Sequence, residues 1–159
     1  MTIIRLNSVS ECVIDDSDYA KISQHKWRSI KTSPRTPEYA ATKIKGELVY
    51  MHRFLLGDGD YIADHINGNG LDNRKSNLRK ATSHQNSWNS KKKSCGVTSR
   101  YKGVGWVKKD KAFQARIRTP EGRISLGYFD NELDAAMAYN KKAYELHGDY
   151  AKLNDVGAL

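Results

Sequence analysis

The chain has 159 residues, 38% of them hydrophobic, with a mean hydropathy of −0.73, so small modules joined by linkers are expected rather than one large core. No apolar run approaches the roughly 20 residues that span a bilayer, and the N-terminus has no basic start followed by an apolar stretch; neither a membrane span nor a signal peptide is expected. The net charge of +9 is unevenly placed, since residues 91–128 carry 11 Lys/Arg against 2 Asp/Glu while residues 129–159 carry 3 against 6. An excess concentrated in a segment that reads as strands favours a polyanionic partner, and without a basic amphipathic helix that partner is nucleic acid rather than membrane. Cys12 and Cys95 are 83 positions apart and form no CxxC pair, which argues against a zinc knuckle and fits idle, reduced thiols in a cytoplasmic protein.

Residues 1–50 read as short strands around one brief helix, a β-rich segment expected to pack on residues 51–90. RLNSVSECVIDD alternates loosely, and Asp16-Ser17-Asp18 starts a helix before YAKISQHKW. Pro34 and Pro37 mark a loop, and Lys45-Gly46 turns a hairpin between Tyr39-Ala40-Ala41-Thr42-Lys43-Ile44 and Glu47-Leu48-Val49-Tyr50-Met51. Residues 51–56 form a short helix that stops at Gly57. From 57 to 76 the chain is dense in Gly, Asp and Asn, and Asn67-Gly68-Asn69-Gly70 is a strong turn signal. One helix is then expected from Lys75 into Ser87, burying Leu78 and Ala81. Residues 91–98 read as a basic linker between a first module ending at 90 and a second spanning 99–156.

In the second module three strands are expected at 103–107, 112–118 and 123–129, with Pro120-Glu121-Gly122 turning the second into the third. Asn131 caps a final helix, with Asp134 three residues on, and Ala135, Ala138, Tyr139, Ala143 and Leu146 fall on its buried stripe before Gly148 ends it. The expected fold class is α+β, with the second module a three-stranded antiparallel sheet backed by one helix.

The chemistry gathers at Asp64, His65, Asn77 and Asn86. A carboxylate beside an imidazole at the end of a short strand can hold a hard divalent ion next to a base for water. Asp64 supplies an anionic oxygen suited to Mg²⁺ or Mn²⁺. His65 has an ordinary imidazole value near 6.5 and can take a proton from water at neutral pH. On a helix beginning at Asn77, that residue braces the turn carrying His65, and Asn86, about two and a half turns along, returns a carbonyl oxygen to the ion.

MHRFLLGDGDYIADHINGNGLDNRKSNLRKATSHQN resembles the HNH endonucleases, especially phage intron-type homing nucleases with a ββα-metal core, over about residues 50–90. The MHR, DHINGN, LDNR, NLR and AT..QN elements stand in that family's order and spacing. The resemblance implies His65 as general base, Asp64 and Asn86 as metal ligands and Asn77 as the residue holding the loop, with Asn in place of the final His. It also implies a phage or other mobile-element source, hence the bacterial host's cytoplasm. His52 and Arg53, in the MHR element, are weaker candidates, Arg53 for a phosphate contact; His84, two residues from Asn86, points elsewhere on a helix and is left out.

SRYKGVGWVKKDKAFQARIRTPEGRISLGYFDNELDAAMAYNKKAYELHGDYAKLN resembles the apetala2/ethylene-response-factor DNA-binding domain, in which the sheet lies in the major groove of double-stranded DNA. That resemblance places Lys102, Gly103, Arg116, Arg118, Arg123, Ser125 and Tyr128 on the reading face. Alternation alone puts Arg116 with Arg118, and Arg123 with Ser125. The chain departs from the plant pattern at Gly105 and Ser125. The expectation is therefore a monomeric, metal-dependent, site-specific DNA endonuclease of homing type. The alternatives are a non-catalytic DNA-binding regulator with a degenerate HNH core and an RNA-binding protein.

Overall fold

The computed structural model describes residues 1–34, 36–91 and 98–157. The chain divides into two compact units, Met1–Asn86 and Ser87–Leu159, each combining antiparallel sheet and helix in an α+β arrangement. Most of the expected linker, Cys95 included, lies outside the described residues. Among the described residues no helix is long and apolar enough to cross a membrane.

The first unit opens with a hairpin of β1 (Thr2–Arg5) and β2 (Glu11–Ile14), whose alternation turns Cys12 and Ile14 fully inward. A 3₁₀ turn over Asp16–Asp18 leads into α1 (Tyr19–Ile22). Beyond it stands a three-stranded sheet, β3 (Arg28–Ile30), β4 (Tyr39–Ile44) and β5 (Glu47–Tyr50), with β4 central. Lys45 and Gly46 both take positive φ, as a two-residue hairpin turn requires. Next comes α2 (Met51–Leu56). Leu6, Cys12, Ile14, Ile22, Trp27, Ala40 and Met51 form one core, with Leu71 from the later loop packed on it. The Cys12 thiol rests 3.6 Å from Met51 Sδ, and burial pushes it up to about 12, so Cys12 packs as an inert apolar group.

The expected helix from Lys75 to Ser87 does not form. A 3₁₀ turn over Lys75–Asn77 leads into strand β7 (Leu78–Ala81), which pairs antiparallel with β6 (Ile62–His65); only then does a helix start, α3 (Ser83–Trp88). Leu78 and Ala81 are buried as expected. Their three-residue spacing suits a helix face, but the backbone groups of β6 need a partner strand, and that pairing overrides the local preference. Asn77 and Asn86 thus belong to different elements.

In the second unit β8 (Val104–Val107), β9 (Ala112–Thr119) and β10 (Gly122–Phe129) form an antiparallel sheet with β9 central, packed against α4 (Glu132–His147). Asn131 caps α4 by accepting from the Asp134 N–H, and Gly148 follows its last turn. The buried stripe is Ala135, Ala136, Tyr139 and Ala143, small residues that let the helix lie close to the sheet. Leu146, expected on that stripe, is 40% exposed, because inward packing ends at Ala143. Gly103 permits the approach: it has φ +78, and a Cβ there would meet the Tyr139 ring at 2.0 Å and Arg116 O at 2.7 Å.

Candidate functional site

The loop between β6 and β7 is held by its own amides. Asn67 caps two turns, its side chain accepting from Asn69 N at 2.8 Å and donating to Asp72 Oδ2 at 2.9 Å. Asn77 reaches back across the loop: Oδ1 accepts from Asn67 N at 3.0 Å, and Nδ2 donates to Asp72 O at 2.7 Å and Asn67 Oδ1 at 3.1 Å. Asp72 is clamped by Arg74 at 2.8 and 2.7 Å, which, ahead of its other contacts, holds its carboxyl below the usual carboxylate range. Gly70 lies against the first unit's three-stranded sheet, where a Cβ would meet Glu38 O at 2.4 Å and the Tyr39 ring at 2.5 Å.

Asp64 and His65 are neighbours on β6, so the pleat sends them to opposite faces. Asp64 lies directly across from Arg79 on β7 and is buried; its Oδ2 accepts from Arg79 Nε at 2.8 Å and forms an ion pair with Nη2 at 2.8 Å. His65 turns into an aromatic enclosure. Its ring meets His52 edge-on at 5.1 Å and Tyr39 at 5.8 Å, and His52 stacks on Tyr50 at 5.4 Å. His65 Nε2 lies 3.4 Å from Oδ1 of Asn73, which is fully buried. Burial, first among the causes, holds His65 below the ordinary imidazole value against the opposing Asn73 bond and the charges of Asp64 and Asp72. Burial likewise pulls His52 down to about 4, helped by His65 and Arg53. Both rings are therefore neutral at pH 7, and a neutral imidazole can accept a proton.

Asp64, His65 and Asn77 are thus gathered at one hairpin, and Asn86 comes separately from α3. Asn86 is half-buried, its backbone N–H donates to Thr82 O at 3.0 Å, and its amide makes no hydrogen bond to the other three among the described residues. Asp64 and Asn86 offer one carboxylate and one amide oxygen, hard donors of the kind Mg²⁺ and Mn²⁺ accept alongside waters and substrate phosphates. No group of three His, Cys, Asp or Glu side chains suited to a metal occurs among the described residues. The donor chemistry fits an ion held jointly with substrate, with Arg79 already on Asp64. Two residues at this hairpin were missed in the sequence, Asn73 and Arg79, while His52, a weaker candidate there, forms part of the wall around His65 from α2. Arg79 becomes visible only once β7 is known to be a strand.

Arg53 is half-buried and engages its guanidinium with a neighbouring loop. Nη1 and Nη2 donate to Tyr61 O at 2.9 Å and Gly59 O at 3.2 Å, and the group stacks on the Tyr61 ring. Its place in the structure is to hold the loop that enters β6.

On the second unit's sheet, the face opposite α4 carries Gln114, Arg116 and Arg118 from β9 and Arg123, Ser125 and Tyr128 from β10. Gln114 Nε2 donates to Ser125 Oγ and Tyr128 OH, both at 3.1 Å. Arg118 stands directly across from Arg123, and none of Arg116, Arg118 and Arg123 is in an ion pair among the described residues. Facing like charges oppose sheet pairing, so this face suits an anionic ligand. Lys102 and Gly103 are elsewhere. Lys102 Nζ donates to Trp88 O at 2.6 Å and Ser90 O at 2.8 Å, with burial pulling its ammonium down to about 8, and Gly103 packs towards α4.

An HNH endonuclease of Acanthamoeba polyphaga mimivirus, named as uncharacterized, is 31% identical over 142 residues, covering 85% of this chain and 70% of the relative. Protein 3.8 of Escherichia phage T7 is 34% identical over 92 residues, covering 58% of this chain and 74% of the relative. No family model matches the chain, and no solved structure matches it.

Proposed function

The chain belongs to the HNH endonuclease family, and we propose that it is a site-specific, homing-type endonuclease that hydrolyses phosphodiester bonds of double-stranded DNA with Mg²⁺ or Mn²⁺. The observation that carries this reading is His65, a buried imidazole kept neutral at the end of β6 in a loop braced by Asn77. In the proposed reaction His65 takes a proton from water as the water oxygen forms a new bond to phosphorus. The P–O bond to the departing deoxyribose breaks, and the leaving oxygen is protonated from solvent. Asp64 and Asn86 would hold the divalent ion, which supplies charge stabilisation at the phosphate and leaving oxygen. Because Asp64 and His65 leave β6 on opposite faces, the scissile phosphate has to cross the end of that strand. The hairpin and helix β6–β7–α3 are read as the ββα-metal core, and the second unit as an apetala2-like sheet that reads the target.

Incubating a plasmid library of random inserts with the full chain and Mg²⁺, then sequencing the ends, tests activity and target together. Cuts at one recurrent sequence that vanish with EDTA are expected, and an intact library contradicts the proposal. A second reading, a DNA-binding regulator with an inactive core, is favoured by the ion pair that already engages Asp64. The same assay separates the two.

A further inference from the structure

Within the nuclease reading, on which this rests, we infer that Asn73 is the positioning residue that sets the tautomer and orientation of His65, and that the N-terminal hairpin holds Asn73 in place. The Asn73 side chain is fully buried, where an amide needs partners. Its Nδ2 faces Gly70 O at 3.5 Å, which directs Oδ1 towards His65 Nε2 at 3.4 Å. A carbonyl oxygen only accepts, so Nε2 carries the ring proton and Nδ1 keeps the lone pair. The bond is long, as in other sites that tighten when substrate arrives. The edges of Tyr39 and His52 limit how far the ring can swing.

Asn73 is fixed through its backbone. Its N–H donates to Val13 O at 2.8 Å, and Val13 N–H donates to Leu71 O at 2.9 Å, so β2 bridges residues 71–73. Just beyond, Asp15 Oδ2 accepts from Lys75 N at 2.8 Å, and Asp18 pairs with Lys75 Nζ at 2.9 Å. Residues far from the chemistry thereby set where the base points. In the proton transfer the water O–H bond breaks and an Nδ1–H bond forms. Nε2 keeps its proton, so the contact to Asn73 persists through the step.

The test uses the full chain, Mg²⁺ and a plasmid cut in the library experiment. ¹⁵N-resolved NMR of the wild-type His65 ring is expected to show the proton on Nε2. Asn73→Leu removes the acceptor at similar size and is expected to lower kcat about 10- to 100-fold with KM unchanged, whereas Asn73→Asp, which keeps an oxygen there, retains most of kcat. A proton on Nδ1, or equal kcat in the two folded variants, overturns the inference. If either variant fails to fold, the wild-type spectrum decides. No cutting by wild type removes the nuclease reading itself; wild-type cutting by His65→Ala removes His65 as the base and with it the role of Asn73; loss of cutting by His65→Ala, with Asn73→Leu fully active, removes only the role of Asn73.

Discussion

Asn77 has no charge and no reactivity of its own, yet it makes three hydrogen bonds across a loop that carries the candidate base. Asn77→Ala leaves the buried Asp72 carbonyl and the Asn67 N–H without that partner, and is expected to cost about 1–3 kcal/mol of stability. Denaturant unfolding checks this, and a change within a few tenths of a kcal/mol would mean that the loop holds itself. The same scale explains Arg53, proposed from sequence as a phosphate contact. A guanidinium on a short helix beside a loop with two outward carbonyls satisfies those carbonyls first.

Among elements, the sheet of β8, β9 and β10 carries the sharpest consequence. Arg118 opposite Arg123 opposes the fold, by an amount on the order of 0.2–1 kcal/mol for a facing pair. The double substitution Arg116→Ala with Arg118→Ala is therefore expected to weaken duplex DNA binding and flatten its salt dependence by about two phosphate contacts, while thermal stability stays level or rises. Unchanged affinity would remove this face from the interface. Here the sequence was legible: alternation in ARIR and GRIS, the turn at Pro120-Glu121-Gly122 and the cap at Asn131 are local signals, and each element formed where they indicated. The hairpin of β6 and β7 was not, because the Leu78 and Ala81 spacing suits a helix face and the partner strand lies earlier in the chain, with Ile62 opposite Ala81. Reading that strand as helix placed Asn77 and Asn86 on one element and hid Arg79 across from Asp64. Lys102 and Gly103, assigned to the reading face by resemblance alone, face other partners: two backbone carbonyls hold the Lys102 ammonium, and Gly103 packs against the Tyr139 ring.

At the scale of the whole molecule, two imidazoles of the first unit make stability depend on pH just below neutrality. His52 and His65 are both held below their ordinary value, His52 at about 4. The unfolded chain takes up these protons as pH falls through about 6.5, and the folded chain resists until lower pH, so in that window the unfolded state binds more protons. The stability these two rings contribute is therefore full above about pH 6.5 and falls as pH drops towards 4, with His52 contributing on the order of 3 kcal/mol to the loss. A Tm that declines between pH 7 and 5, and declines less in His52→Phe, is the expected record; a flat Tm contradicts it.

The charge count divides the molecule in a complementary way, with the basic excess in residues 91–128 and the candidate base in the first unit. Binding and cutting should therefore separate. The most direct measurement compares wild type with His65→Ala on the same DNA, scoring Mg²⁺-dependent nicking and mobility-shift binding side by side. Nicking is expected to disappear while affinity stays within about twofold, as for an interaction used only in the transition state. Undiminished nicking by His65→Ala would contradict the role of His65 as the base.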